Sequence, residues 1–168
     1  MSARIVSAAL LLALLFSGCS APAVPEGSSP QTQKALSCTL TFSCAPVLDQ
    51  LDALDADKTS LIPEDGVLLS VDNAAFASGD TVFDLTLREI QARKLHIEFT
   101  TSPVYGSVYI EGIFNLYEFD CGPLSGWVYT VNGLSPSVGC GEYALEDGDA
   151  VQWLFVCDRT GPGQEDTP

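Results

Sequence analysis

The chain has 168 residues, 46% of them hydrophobic, and a formal net charge of -15 at pH 7. That is room for one ordinary domain with enough apolar mass to bury a core. With Lys and Arg numbering 7 against 22 Asp and Glu, nothing offsets a phosphate backbone, and nucleic acid is excluded as an expected partner.

Residues 1–18 read as an export signal: Arg4 is the only charge, the apolar run IVSAALLLALLF follows, and Ser17-Gly18 precede Cys19. The run is too short for a stable membrane span. A cysteine directly after small residues resembles the bacterial lipobox, although Phe16 stands where that motif usually has an aliphatic residue. The resemblance implies that Cys19 becomes the lipidated first residue of the mature protein, which is then extracytoplasmic and held at a membrane by acyl chains. Loss of the signal removes Arg4 and moves the formal charge to -16. Residues 19–35, rich in Ser, Pro, Ala and Gln, have no apolar period and are expected to form a disordered tether. Residues 36–160 are expected to be the folded domain, and 161–168 a disordered tail.

The folded part opens with Ser37–Cys44, where Cys38, Leu40, Phe42 and Cys44 alternate with hydroxyl residues as in a half-buried strand. Pro46 can begin a helix, and Val47, Leu48, Leu51 and Leu54 recur at helical spacing. Asp49, Asp52, Asp55 and Asp57 recur along the same segment without the glycine and distal Glu of a calcium loop, so they read as a solvated face. Gly66–Val71 is a second strand. Thr81–Leu95 then carries an apolar stripe of Val82, Phe83, Leu85, Leu87 and Ile90, with Arg88, Arg93 and Lys94 toward its end, and is the main helix. His96–Phe99, Val104–Phe114 and Tyr117–Phe119 follow as β segments. The period of Trp127, Tyr129 and Val131, and of Val151, Trp153 and Phe155, marks two further strands, with Asn132-Gly133 in a tight turn after the first. The element order predicts an α+β domain, a mixed sheet packed on one main helix.

Catalytic chemistry finds little support. His96 is the only histidine and falls on a strand face opposite Ile97 and Phe99, with no visible partner. Ser125, in Gly122-Pro123-Leu124-Ser125-Gly126, lacks the spacing of a nucleophile elbow and reads as turn chemistry. The expectation is a protein that is not an enzyme, requires no cofactor and has no catalytic residue.

The cysteines read as cross-links. Cys38 and Cys44 cannot pair along one strand, since six residues span about 20 Å. Cys121 and Cys140 bracket the Trp127 strand and are the expected bond. Cys157 then takes Cys38 or Cys44, leaving one thiol over. A thiolate metal site is the alternative; no CxxC knuckle is present to favour it.

The series EDGVLL (64–69), TVFDLTL (81–87), YIEGIFNLYEFDCGPLSGWVYTVNG (109–133) and YALEDGDAVQW (143–153) resembles the bacterial domain family of unknown function DUF4430, related to the C-terminal domain of transcobalamin. The resemblance implies a β-grasp-like fold. It also implies a small-ligand module that can take a corrinoid such as cobalamin together with a partner protein, with Trp127 facing the ligand and Tyr105, Tyr117 and Tyr129 beside it. The other reading is a cell-envelope module that contacts another polypeptide. A pocket collecting those rings favours the first, and rings buried in the core favour the second.

Overall fold

A computed structural model describes residues 35–102 and 107–158. They belong to the second of the two units into which the chain divides, Lys34–Pro168. Among the described residues there are seven strands: β1 Leu36–Ser43, β2 Val67–Phe76, β3 Ile97–Thr101, β4 Val108–Ile113, β5 Leu116–Tyr117, β6 Gly126–Val131 and β7 Ala150–Val156, with helix α1, Val82–Ala92, between β2 and β3. One sheet runs in the order β2-β1-β7-β6 and a smaller one in the order β3-β4-β5. In the larger sheet β1 and β7 are parallel neighbours at the centre, with Leu40 opposite Val151 and Phe42 opposite Trp153. The outer pairs, β1 with β2 and β6 with β7, are antiparallel. A first strand and a last strand parallel at the centre, with a helix crossing after β2, is the β-grasp arrangement expected above.

The alternation of β1 places Cys38, Leu40, Phe42 and Cys44 in the core, and β7 adds Val151, Trp153 and Phe155 to it. Onto this face α1 brings Val82, Leu85, Thr86 and Ile90, all buried. The fit includes one polar bond, from Trp153 Nε1 to Thr86 Oγ1 at 2.8 Å, which satisfies two groups that would otherwise be buried without partners. The small sheet contributes Ile110, Ile113 and Leu116 to the same core, and Phe114 meets Phe42 edge-on with ring centroids 5.4 Å apart.

Helix α1 begins where local chemistry dictates. The Thr81 hydroxyl accepts from Asp84 N at 3.2 Å while the Asp84 carboxylate accepts from Thr81 N at 2.9 Å, a reciprocal capping box. It ends at Lys94, which adopts φ +56°, with Lys94 N donating to Gln91 O and Leu95 N to Ile90 O, each at 3.0 Å. This is a Schellman stop with lysine where glycine is preferred. Lys94→Gly is therefore expected to raise stability by roughly 0.5 to 1 kcal/mol, because the left-handed conformation carries no Cβ penalty for glycine; urea titration of the two proteins checks it.

Strand β2 runs past the expected Val71 to Phe76, and two further elements differ from expectation. The Pro46 segment is a 3-10 helix, Ala45–Ala53, rather than an α-helix, and Gln50 inside it has non-helical backbone angles. Only Val47 of this segment is buried. Both ends are tied by short bonds, Val47 N to Cys44 O and Leu54 N to Leu51 O, so one anchor and two tight ends hold the chain in the narrower coil. Its two aspartates, Asp49 and Asp52, are exposed, as are Asp55 and Asp57 just beyond its end. The third β segment is also shorter than read: β5 stops at Tyr117, and Phe119 takes φ +74° in the loop that follows.

Gly66, just before β2, is required by its surroundings. It has φ +69°, and a Cβ there would lie 2.5 Å from Ala45 Cα. That close approach lets Cys44 N reach Gly66 O at 2.7 Å and closes the loop between β1 and β2.

Candidate functional site

The rings proposed as a ligand platform do not converge on a pocket. In the β6–β7 register Trp127 lies opposite Phe155 and Tyr129 opposite Trp153, so all four share the inward face. Trp127 is buried, 9% exposed, and its Nε1 donates to Leu116 O at 2.9 Å. The expectation of a ligand-facing Trp127 is thereby corrected: the small sheet, contributing Leu116, covers the ring. Tyr129 is half-buried, packs against Trp153 at 5.4 Å and donates its hydroxyl to Val138 O at 2.7 Å. Burial raises the Tyr129 phenol pKa, assisted by the neighbouring Cys140, Tyr143 and Glu142. Tyr117 sits apart on β5. Tyr105 and Cys19 lie outside the described residues.

Tyr117 belongs instead to a polar cluster on the small sheet. Its hydroxyl lies 2.9 Å from His96 Nε2, and His96 Nδ1 accepts from Asn115 N at 3.4 Å. His96 thus has a partner that its strand position alone did not reveal. Lys58 stands 5.1 Å from the centre of the Tyr117 ring, donates to Asn115 O at 2.9 Å and pairs with Asp120 at 3.4 Å. Gly112 makes room for the ring: a Cβ there would lie 2.6 Å from Tyr117 Cδ1. Burial and the nearby Glu98 carboxylate raise the Tyr117 pKa. Lys58, Glu98 and Asp120 were not legible as a group, because they come from segments separated by tens of residues and only the β4–β5 turn brings them together.

The disulfide differs from the expected one. Cys121 is bonded to Cys157, with Cα atoms 4.8 Å apart, and neither Cys121–Cys140 nor Cys44–Cys157 forms. Cys140 lies instead in the loop after β6, where its carbonyl accepts from Phe83 N at 2.9 Å and its side chain neighbours Tyr129. The turn at 121–125 brings Cys121 to β7: Cys121 N donates to Ser125 Oγ at 3.0 Å, and Ser125 Oγ donates to Gly122 O at 2.9 Å. Both bonds of the Ser125 hydroxyl belong to this turn.

Cys38, Cys44 and Cys140 are free and buried. Burial pushes each thiol up to about 11, for Cys38 with help from Asp149 and Glu89. Such groups are neutral at ordinary pH, the opposite of a ligating thiolate. Among the described residues no group of three or more His, Cys, Asp or Glu side chains is placed to hold a metal ion. The raised values carry a sign for stability. The unfolded chain ionises its thiols near pH 9 and the folded chain only near pH 11, so the contribution is complete below about pH 9 and is lost as pH rises toward 11. Urea midpoints measured from pH 8 to 11 should fall over that window, and Cys44→Ala should make the fall shallower.

Several large apolar side chains remain at the surface: Phe119 and Leu124, which flank Cys121, are 58% and 56% exposed, and Leu134 is 74% exposed. Among the described residues no helix is long and apolar enough to cross a membrane.

No curated protein matches the chain. Among solved structures, a protein from Ruminococcus gnavus ATCC 29149, described as a candidate metal-binding protein, is similar at 13% identity and a TM-score of 0.41, with 71% of this chain and 95% of that chain covered. A likeness of that degree carries no argument about function. Residues 79–156, from the turn before α1 to the end of β7, match the family described as Domain of unknown function (DUF4430). Over that stretch the chain is similar to the DUF4430 family.

Proposed function

We propose that this protein is a non-catalytic, extracytoplasmic lipoprotein whose β-grasp domain works as a binding module for another polypeptide of the cell envelope. The observation that carries the reading is the fate of the aromatic rings. Trp127 and Tyr129 face the core and direct their polar atoms to Leu116 O and Val138 O, so neither of these two rings stands open as a platform for a flat ligand. Small-ligand sites are concave and mostly apolar with a few convergent polar groups, and a corrinoid would further need a second wall to bury its other face. A polypeptide needs only an exposed edge or face. The lipid anchor at Cys19, argued from the signal sequence, would keep the module at a membrane surface, where its partners share the same two dimensions.

The test has two arms. Native mass spectrometry of the exported chain with cobalamin is expected to show the protein without adduct, and a stoichiometric corrinoid adduct would restore the ligand reading. Cross-linking in cells, followed by reconstitution from two purified proteins, is expected to give a defined complex. The anchor is tested separately: Cys19→Ala should abolish labelling by a fatty-acid analogue, and continued labelling would remove the lipoprotein assignment.

A further inference from the structure

Each sheet ends in strand edges, and most of the edges here are guarded. In β2 the register with β1 shifts between Cys38 and Leu40, where Asn73 takes φ +55°, and Arg88 donates to Ala75 O at 3.1 Å. A bulge and a covering cation are two of the devices by which proteins blunt an edge. Strand β6 has β4 beside it. Strand β5 has only two residues, and Tyr117 N is occupied by the Asp120 carboxylate at 2.8 Å.

Among the described residues, strand β3 carries no such guard. Four of its five residues, Glu98 to Thr101, are exposed, and it contains neither proline nor lysine. Hydrogen-bond parity shows which of its groups face outward. His96 O accepts from Phe114 N at 3.1 Å and Ser102 N donates to Ser107 O at 2.9 Å. The even-numbered residues therefore bond toward β4, and the N–H and C=O groups of Ile97, Phe99 and Thr101 point to the open side. Such a row is a template for an added strand.

The charge beside this edge selects the occupant. Glu98 lies on β3 itself. Glu111 accepts from the Thr100 hydroxyl and Glu118 from the Tyr109 hydroxyl, so the partners seen for both carboxylates are neutral. Among the described residues, no Lys or Arg forms an ion pair with Glu98, Glu111 or Glu118. Lys58, the cation nearby, is paired with Asp120. A second copy of the chain would bring the same carboxylates and a net charge of -15 to the same edge, so repulsion disfavours self-pairing.

We propose that the open edge of β3 receives an extended segment of a partner polypeptide, added as a further strand of the small sheet, with Lys or Arg at alternate positions. Its backbone bonds to Phe99 and Thr101, its basic side chains lie on the Glu98 and Thr100 face, and its intervening residues meet the Phe99 side. The inference rests on the polypeptide-binding reading above and names its surface and the chemistry of its partner.

The test uses the full exported chain and a synthetic seven-residue peptide alternating Lys with Val, N-methylated along one edge so that it cannot stack on itself. A matching peptide with Glu in place of Lys is the control. Thr101→Pro removes one outward N–H while leaving the β4 ladder intact, since proline is tolerated on the free side of an edge strand. Glu98→Lys reverses the charge without touching the backbone. The result expected is binding of the Lys peptide, weakened about tenfold by either substitution, with unchanged thermal melts and no binding of the Glu peptide. Undiminished binding to a well-folded Thr101→Pro protein overturns the edge assignment, and should that variant melt early, undiminished binding to Glu98→Lys overturns the charge assignment. Equal binding of both peptides overturns the basic partner. Failure of the Lys peptide to bind overturns the β3 proposal alone, because the cross-linked complex can still form through another face.

Discussion

Replacing Trp153 with alanine should lower the unfolding free energy by about 3 to 5 kcal/mol, the range for deleting a large buried ring. Trp153 is 2% exposed, sits on the central strand opposite Phe42 and packs against Tyr129, so the vacated space is walled by rigid neighbours and cannot easily collapse. A second loss adds to the first. The Thr86 hydroxyl, fully buried, would be left without the indole N–H that reaches it at 2.8 Å. Trp153→Phe separates the two effects, keeping most of the ring and costing about 1 to 3 kcal/mol through the unpaired hydroxyl. Denaturant titration followed by far-ultraviolet circular dichroism reads both variants. A cost below about 1 kcal/mol for the alanine variant would contradict the placement of this ring at the centre of the core.

Removing the Cys121–Cys157 bond by a double change to serine should cost about 3 to 4 kcal/mol, since it releases a loop with a sequence separation of 36 residues in the unfolded chain. The effect should appear in denaturant midpoints and, more sharply, in proteolysis of the 118–125 loop, which the bond fastens to the end of β7. Peptide mapping without reduction should recover the fragment containing Cys121 joined to that containing Cys157. Recovery of Cys121 with Cys140 would contradict the placement of Cys121 beside the end of β7.

What the sequence made legible and what it hid follow from the range of the interactions involved. The strands β1, β6 and β7 are legible because alternation records a strand with one buried face, and α1 because its stripe and its Thr81–Asp84 cap lie within a few residues of each other. The cysteine partner was not legible. It depends on the turn of residues 121–125 that Ser125 ties together, which carries Cys121 to the end of β7 beside Cys157. The burial of Trp127 was hidden for a related reason: its cover, Leu116, comes from a different sheet, and a tryptophan entering a strand after a glycine reads equally as platform or core. The open edge of β3 leaves no local mark in His96–Thr101, because an edge is defined by the neighbour a strand lacks.

The parallel pairing of β1 with β7 governs how the domain comes into being. Any chain that emerges from its N-terminus first presents β1 early, yet β1's partner at the sheet centre ends at Val156. Until that segment arrives, the β1–β2 pair and the β6 strand share no neighbour, and Leu40 and Phe42 lack the residues that cover them. Closure between such distant segments is slow compared with local turns and helices. The domain therefore stays open through most of its delivery and locks only when the last strand slides between the first and the sixth. A chain cut short anywhere before Ala150 should remain soft and open to proteases, however complete its earlier elements.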